Sequence, residues 1–262
     1  MWHIIKAVLR IFPFVLWDYF AWMIKYSGKN KDKYPLETRY KRARKLCLRA
    51  NKYLKVDAHI EGKENMPNEK ACYVANHLGA ADPLLFFEAF DKPIAFLGKV
   101  ELEKMPFVAK VFTSINSLFL KRDDLKQQLK VMMRVQNSLE IQETNWVIFP
   151  EGTRIKDQMN KIAPFHPGTF RNVMKAKAPI VPVVTYGSFR FLSKKHNLKK
   201  YPAHLKFLKP IYYKDYKDMT TEEVAKLVHS MIQRELSFNI RKKDHEEMVQ
   251  LRNKKYRFNR IY

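Results

Sequence analysis

A short apolar run that ends in a polar stretch places the strongest constraint on this chain. Ala71–Ala75 has the composition of a buried strand, and the polar stretch Asn76–Asp82 follows it directly. Apolar runs of about four to eight residues bounded by turn residues are typical of strands inside a sheet. If the turn after His77 opens a helix, about one and a half helical turns bring Asp82 back towards the imidazole. The stretch therefore predicts a His–Asp pair at the end of a buried strand.

The His77–Asp82 pair has three possible meanings at this point. A His followed closely by an Asp is often only a polar turn. Two ligands are too few for a structural or catalytic zinc site, so the pair alone does not predict a metal centre. A carboxylate that accepts a hydrogen bond from one ring nitrogen fixes the tautomer and leaves the other nitrogen as a base. The small residues Gly79, Ala80 and Ala81 would let an incoming group approach the backbone.

A second polar stretch favours the last of these interpretations. Phe149–Arg154, with the sequence Phe-Pro-Glu-Gly-Thr-Arg, follows the apolar run Trp146–Ile148. In open α/β sheets, ligands bind in a crevice at the carboxyl ends of the strands. Two polar stretches that each follow a buried strand therefore predict one cleft at the edge of a sheet.

The chain as a whole alternates strand-like and helix-like patterns, which predicts an α/β fold with a mixed central sheet flanked by helices. Pro182 lies in one predicted strand and indicates a bulge or an edge there. Thr220 and Glu223 predict a capping box that opens the helix Glu222–Leu236. We expect the segment from Arg241 onwards to be frayed or bound at a surface. The predicted strands are Val56–Ile60, Ala71–Ala75, Pro93–Leu97, Ser117–Leu120, Trp146–Phe149, Ile180–Tyr186 and Leu205–Leu208.

Composition divides the chain into three parts. We expect interfacial helices and a basic helix in residues 1–50, a catalytic domain in 51–236, and a basic C-terminal tail in 237–262. Lys and Arg are dense between residues 25 and 49. Next to a segment that lies in a membrane interface, each such cation attracts an anionic leaflet by about 1 kcal/mol.

The first 26 residues are apolar and aromatic and hold three of the four Trp residues. Arg10, Pro13 and Asp18 interrupt this segment, which makes it a poor bilayer span, and Pro13 is expected to divide or kink it. Trp and Tyr favour the headgroup level of a bilayer. We therefore expect one or two helices that lie in the membrane interface; a core helix hairpin packed on the main domain is the alternative.

The charge balance constrains the partners. The chain has 50 Lys+Arg against 26 Asp+Glu, a net charge of +24, so its partners are anionic: nucleic acid, a lipid surface or phosphorylated substrates. A nucleic-acid-binding fold signature is not recognisable, so we expect an anionic membrane surface and no nucleic acid. Two cysteines do not form a disulfide framework, which fits a reducing compartment. These features predict a peripheral or monotopic protein on the cytoplasmic face of the cell membrane.

Four sequence blocks in order resemble the glycerolipid acyltransferase family, specifically the 1-acylglycerol-3-phosphate acyltransferases. The first is the Asn-His-x4-Asp block, and the second is Gly98–Leu102 with Arg122 at its far end. The third is Phe149–Arg154, and the fourth is the Pro-containing strand Ile180–Val183. The match covers roughly residues 55 to 210. It departs from the family's usual pattern at four positions: Gly79 (often Ser), Asn116 (usually Gly), Lys121 (usually acidic) and His166 (often Lys).

The resemblance implies transfer of a fatty acyl group to the sn-2 hydroxyl of lysophosphatidic acid, which gives phosphatidic acid. The donor is an acyl thioester, either acyl-CoA or acyl carrier protein. His77 suits the general base, and Asp82 orients it. The reaction needs no protein nucleophile, and Gly187-Ser188 lacks the pattern of a nucleophile elbow. We expect no metal and no cofactor.

Substrate binding is assigned to residues of the second and third blocks. Arg122 and Arg154 suit the acceptor phosphate because a guanidinium matches it bidentately, and Lys99 is a weaker third candidate. We expect Glu151 to pin an Arg and to position the acceptor. Backbone N–H groups of Gly152 and Thr153 are candidates for the oxyanion.

Two other functions remain open from the sequence. One is acyl transfer to another acceptor, such as a different lysophospholipid or glycerol 3-phosphate. The other is a non-enzymatic basic protein that binds membrane or nucleic acid, which the charge alone supports and which leaves the polar stretches unexplained.

Overall fold

The computed structural model describes residues 2–152, 162–192 and 198–258 of the chain. Within these ranges the seven strands are β1 Val56–Glu61, β2 Cys72–Ala75, β3 Ile94–Lys99, β4 Leu118–Leu120, β5 Asn145–Ile148, β6 Ile180–Tyr186 and β7 Tyr201–Phe207. The α-helices are α1 Trp2–Asp18, α2 Ile24–Ser27, α3 Leu36–Leu54, α4 Asp82–Ala89, α5 Pro106–Ser114, α6 Leu125–Glu140, α7 Gly168–Lys175, α8 Tyr213–Tyr216, α9 Thr221–Glu235 and α10 Arg241–Phe258.

All seven strands form one sheet in the order β1-β7-β6-β2-β5-β3-β4. Neighbouring strands are parallel except β6 and β7, which are antiparallel. The predicted mixed central sheet is thereby confirmed. Because β2 through β6 run in one direction, their carboxyl ends meet at one edge. The strand that leads into the Asn-His-x4-Asp block, β2, lies in the middle of this sheet between β5 and β6.

Hydrophobic side chains cover both faces of the sheet. One layer packs Tyr73 and Phe96 of the sheet against α3 and α4. The other packs Trp146 and Val184 against α6, α7 and α9. Strands covered on both faces are near-continuous apolar runs, which is why β2, β5 and β6 were recognisable from sequence. The predicted capping box at Thr220 and Glu223 is present at the start of α9.

The prediction of a bulge at Pro182 fits, because Val183 pairs with Phe207 whereas Ile180 pairs with Ile211, a shift of one residue. The alternative of an edge is wrong, since Pro182 lies inside the sheet. It pairs with Val74 of β2, and its carbonyl accepts a hydrogen bond from the N–H of Leu208 at 2.9 Å. The regular ladder with β7 starts one residue later, at Val183. Because the N–H and C=O of one strand residue point to the same side, the missing N–H of Pro182 faces the end of the β7 ladder. The pairing with β2 is therefore undisturbed.

The N-terminal helix differs from our expectation. Helix α1 runs through Pro13 without dividing, and the irregularity is a single π-helical turn at Tyr19–Met23 before α2. Asp18 lies 3.7 Å from Arg49 of α3, so its charge faces the protein. The combined segment Ile4–Ser27 has a mean hydropathy of 1.5 and is long and apolar enough to cross a membrane. We expected Arg10, Pro13 and Asp18 to make this segment a poor bilayer span, but its length and composition are sufficient for a span.

This helix presents a broad apolar face to its surroundings. Ala7, Trp22 and Met23 are its fully buried residues among those whose side chains the structure describes. A core hairpin would bury many more, so the alternative of a core element does not fit. A large exposed apolar patch of this kind indicates membrane association. The exposed apolar residues of the face are Ile5, Val8, Leu9, Phe12, Phe14, Leu16, Trp17, Phe20 and Ile24.

Arg39 of the basic helix α3 faces the protein interior and stabilises the turn after α5. Arg39 is buried, and its guanidinium donates to the carbonyl of Ser114 at 2.7 Å and to Oδ1 of Asn116 at 2.9 Å. Asn116 has φ +60°, a left-handed conformation that Asn tolerates better than most residues. Asn can therefore replace the usual glycine here, and Arg39 holds it in place.

The C-terminal segment is helical where we expected a frayed tail. Helix α10 starts at Arg241, and Asp244 on it makes two hydrogen bonds of 2.5 Å with the buried Arg190. The boundary predicted between residues 236 and 237 falls inside a helical run, because a π-turn at Leu236–Ile240 connects α9 to α10. A buried two-pronged ion pair anchors the beginning of this helix to the sheet domain.

Candidate active site

The His–Asp pair lies at the carboxyl end of β2. Nδ1 of His77 is 2.7 Å from Oδ2 of Asp82, which is the first residue of α4 and is fully buried. The same Oδ2 accepts the backbone N–H groups of Leu78 at 2.9 Å and Gly79 at 3.0 Å. An oxygen that accepts three hydrogen bonds belongs to an ionised carboxylate. The hydrogen between this oxygen and His77 is therefore bonded to Nδ1 of the imidazole. Nε2 is then the nitrogen with a lone pair, as a base requires.

The ring of His77 is held from the side as well. Phe149, the residue after β5, lies with its ring centroid 4.5 Å from that of the imidazole. The imidazole itself is about one-fifth exposed. The imidazole is therefore open to solvent on one side, and the hydrogen bond and the aromatic contact together restrict its rotation.

Asn76 joins the end of β2 to the end of β6. Its Nδ2 donates to the carbonyl of Thr185 at 2.9 Å, and its Oδ1 accepts the N–H of Thr185 at 2.8 Å. The hydroxyl of Thr185 donates in turn to the carbonyl of Asn76 at 2.9 Å. All of these atoms are buried, so each bond satisfies a group that would otherwise be costly to desolvate. Asn76 therefore fixes where the chain turns towards His77.

Glu151 accepts hydrogen bonds from two backbone N–H groups. Arg154 of the same block lies outside the described residues, so the expected pinning of an Arg stays a prediction. Oε1 of Glu151 accepts the N–H of His77 at 2.6 Å, and Oε2 accepts the N–H of Ala163 at 3.1 Å. The residue is buried, and burial raises the pKa of Glu151 from its ordinary value of 4.5 to about 7, against the lowering by these two hydrogen bonds. Glu151 therefore positions the base from the β5 side, and it ties the base to the chain that follows the third block.

Gly152 does not fit the role in oxyanion binding that we expected for its N–H. This N–H donates to the carbonyl of Phe149 at 3.1 Å, closing a turn. Gly152 has φ +63°, and a Cβ there would lie 3.3 Å from the imidazole of His166 and 3.9 Å from Nη2 of Arg122. A glycine suits this position because the backbone is left-handed and the imidazole of His166 lies close to where a Cβ would be.

The candidate phosphate ligands share one edge of the sheet. Lys99 ends β3 and Arg122 follows β4, so both lie at the carboxyl edge where β2 and β5 also end. Both side chains are exposed. Arg122 reaches the turn at Gly152, which brings the second and third blocks together. Thr153 and Arg154 lie outside the described residues, so their predicted roles stay predictions.

Sequence reasoning missed one residue of the site. The hydroxyl of Ser188 donates to Oδ1 of Asp82, the carboxylate oxygen that faces away from His77. Ser188 follows β6, so the order of strands in the sheet is what brings it next to β2. A polar residue just after a predicted buried strand was the available signal, and we had considered it only as a nucleophile.

Replacing Glu151 by Gln should change how stability depends on pH. Because the pKa of Glu151 is about 7 in the folded protein and 4.5 ordinarily, the folded state keeps a proton that the unfolded chain releases. The contribution of Glu151 to the free energy of unfolding is therefore largest below pH 4.5, and it is lost as the pH rises through about 7. We expect the thermal midpoint of the natural protein to fall, relative to that of Glu151→Gln, between about pH 5 and pH 8. A midpoint difference that stays constant over this range would contradict the assignment.

Comparison with known proteins identifies the family of this chain. The model of the family described as Acyltransferase matches residues 57–186. A probable 1-acyl-sn-glycerol-3-phosphate acyltransferase of Mycoplasma pneumoniae is 30% identical over 217 residues, covering 76% of this chain and 80% of the relative. The corresponding probable enzyme of Mycoplasma genitalium is 29% identical over 244 residues, covering 85% and 87%.

A solved structure resembles the whole fold. The crystal structure of the 1-acyl-sn-glycerophosphate (LPA) acyltransferase PlsC from Thermotoga maritima superposes with a TM-score of 0.66 at 26% identity. The superposition covers 89% of this chain and 91% of that one. Sequence, motif order and architecture agree: this chain belongs to the Acyltransferase family.

Proposed function

We propose that the protein transfers a fatty acyl group from an acyl thioester to the sn-2 hydroxyl of 1-acylglycerol 3-phosphate, giving phosphatidic acid. The observation that carries the proposal is the His77–Asp82 pair at 2.7 Å, at the edge of the sheet where Arg122 also lies. The names of the relatives support the choice of acceptor.

In the proposed reaction the base is the Nε2 atom of His77. It takes the proton of the sn-2 hydroxyl as the oxygen attacks the thioester carbonyl carbon. The tetrahedral intermediate then collapses, the C–S bond breaks, and the thiolate takes the proton from the imidazolium. Asp82 stabilises that imidazolium through Nδ1–H, as the carboxylate of a catalytic triad does.

The acceptor hydroxyl is itself the nucleophile in this mechanism. Cys47 and Cys72 are buried free thiols, and burial raises the pKa of the Cys47 thiol to about 12, so neither is an activated nucleophile. Among the described residues no serine or cysteine is hydrogen-bonded to His77, which fits direct transfer between two bound substrates.

The acceptor phosphate is assigned to Arg122, with Lys99 beside it at the same edge and with Arg154. A guanidinium that forks onto two phosphate oxygens gives both charge and direction. The donor is acyl-CoA or acyl carrier protein, and both are anionic, which suits the net charge of +24.

We place the protein at the cytoplasmic face of the cell membrane. The exposed apolar face of α1 supplies the contact with the acyl chains, and the exposed cations of α3 supply attraction to anionic headgroups. A lysolipid acceptor resides in that surface, so the enzyme meets its substrate where it is anchored.

Removing the base should abolish most of the transfer. General base catalysis contributes about 10²- to 10⁴-fold in rate, so we expect His77→Ala to lower kcat by that factor. The assay uses purified protein with 1-acylglycerol 3-phosphate and each thioester donor in turn. His245→Ala, an exposed histidine on α10, serves as the matched control. Near-normal transfer by His77→Ala would overturn the mechanism, and preference for glycerol 3-phosphate would overturn the acceptor.

Removing Arg122 should weaken acceptor binding. We expect Arg122→Ala to raise KM for 1-acylglycerol 3-phosphate about tenfold or more with little change in kcat, because the phosphate is held equally before and during the reaction. Lys92→Ala is the control, since Lys92 is an exposed cation just before β3, at the opposite edge of the sheet. An unchanged KM would remove Arg122 from the site.

A charge on the apolar face of α1 should weaken membrane binding. Trp17 is 75% exposed on that face, and Phe238, in the π-turn after α9, is 72% exposed. We expect Trp17→Glu to reduce binding to phosphatidylserine-containing vesicles on the order of tenfold in a flotation assay. Phe238→Glu, equally exposed, should bind as the natural protein does. Equal losses in the two variants would contradict the assignment of α1 as the membrane face.

A further inference from the structure

The carboxylate of Asp82 is held from two sides. Oδ2 faces His77 and the backbone of the turn, and Oδ1 accepts the hydroxyl proton of Ser188. Ser188 lies two residues after the end of β6, the neighbour of β2, and it is 1% exposed. Its hydroxyl is therefore out of reach of an acyl donor, and the hydroxyl hydrogen is used in the hydrogen bond to Asp82, so Ser188 does not serve as an acyl acceptor.

The turn that carries Ser188 is fixed at both ends. Gly187 has φ +92°, and a Cβ on it would lie 2.5 Å from the carbonyl oxygen of Pro202, so only glycine fits. Two residues after Ser188, the guanidinium of Arg190 makes the buried pair of 2.5 Å hydrogen bonds with Asp244 of α10. Gly187 on one side and the Arg190–Asp244 ion pair on the other restrict the turn, so the hydroxyl of Ser188 is held in one position.

Gly79 of the Asn-His-x4-Asp block makes room for this hydroxyl. A Cβ at position 79 would lie 2.7 Å from Oγ of Ser188 and 2.8 Å from the backbone nitrogen of Phe189. Both distances are shorter than real Cβ contacts. The hydroxyl of Ser188 therefore occupies space that is free only because residue 79 has no side chain.

We propose that Ser188 is a positioning residue for the general base. By donating to Oδ1 it fixes the rotation of the Asp82 carboxylate, so that Oδ2 stays aligned with Nδ1–H of His77 and Nε2 points at the acceptor hydroxyl. The inference rests on the proposed role of His77. Ser188 touches neither substrate nor the reacting atoms, so its effect falls on the rate of the chemical step and leaves acceptor binding alone.

The test compares Ser188→Ala with Ser138→Ala. Ser138 is also buried, at 3% exposure, and its hydroxyl has no hydrogen-bond partner in the described part of the chain, so it controls for loss of a buried hydroxyl as such. We expect Ser188→Ala to lower kcat about 10- to 100-fold, the range for a misaligned catalytic group, with KM for 1-acylglycerol 3-phosphate within about twofold. Ser138→Ala should keep both constants.

The outcomes separate this inference from the function on which it rests. If Ser188→Ala keeps its kcat while His77→Ala loses it, the positioning role is wrong and the general base stands. If kcat falls only in proportion to the folded fraction measured by thermal unfolding, the role is structural and the proposal is overturned. Should Ser188→Ala fail to fold, Ser188→Cys retains a weak donor of similar shape, and its kcat should lie below that of the natural protein.

Discussion

The buried carboxylate of Asp82 is the centre on which the rest of the site depends. It accepts Nδ1–H of His77, two backbone N–H groups of the turn, and the hydroxyl of Ser188. An ionised carboxylate is tolerated in a dry site only when such donors replace water. The same hydrogen bonds fix the direction of the His77 imidazole. They therefore stabilise the charge of the Asp82 carboxylate and orient the histidine at the same time.

The sheet order explains how these donors come together. Strand β2 lies between β5 and β6, and side chains that follow both neighbouring strands reach the turn that carries His77. Glu151 from β5 accepts the backbone N–H of His77, and Ser188 from β6 holds the carboxylate. Parallel strands make this possible, because their carboxyl ends meet at one edge. The His77–Asp82 pair therefore lies at the middle of the sheet, and hydrogen bonds from both neighbouring segments hold it.

Much of this was predictable from the sequence, and the exceptions have physical causes. Buried strands and the capping box at Thr220 were evident because apolar runs and caps are local signals. Glu151 was recognised as a site residue, but its backbone partners His77 and Ala163 were not, because they lie 74 and 12 residues away along the chain. The edge offered for Pro182 was wrong because the sequence does not show that β6 lies between β7 and β2. Ser188 needed the strand order, which depends on contacts far apart in the chain.

The central claim is that Nε2 of His77 receives the proton of the acceptor hydroxyl. The most direct measurement is the distance between Nε2 and the sn-2 oxygen in a crystal structure of the protein with bound 1-acylglycerol 3-phosphate. The account predicts a hydrogen bond of about 2.6 to 3.2 Å, with the phosphate against Arg122. A bound acceptor whose hydroxyl points away from His77, with the phosphate elsewhere, would contradict it.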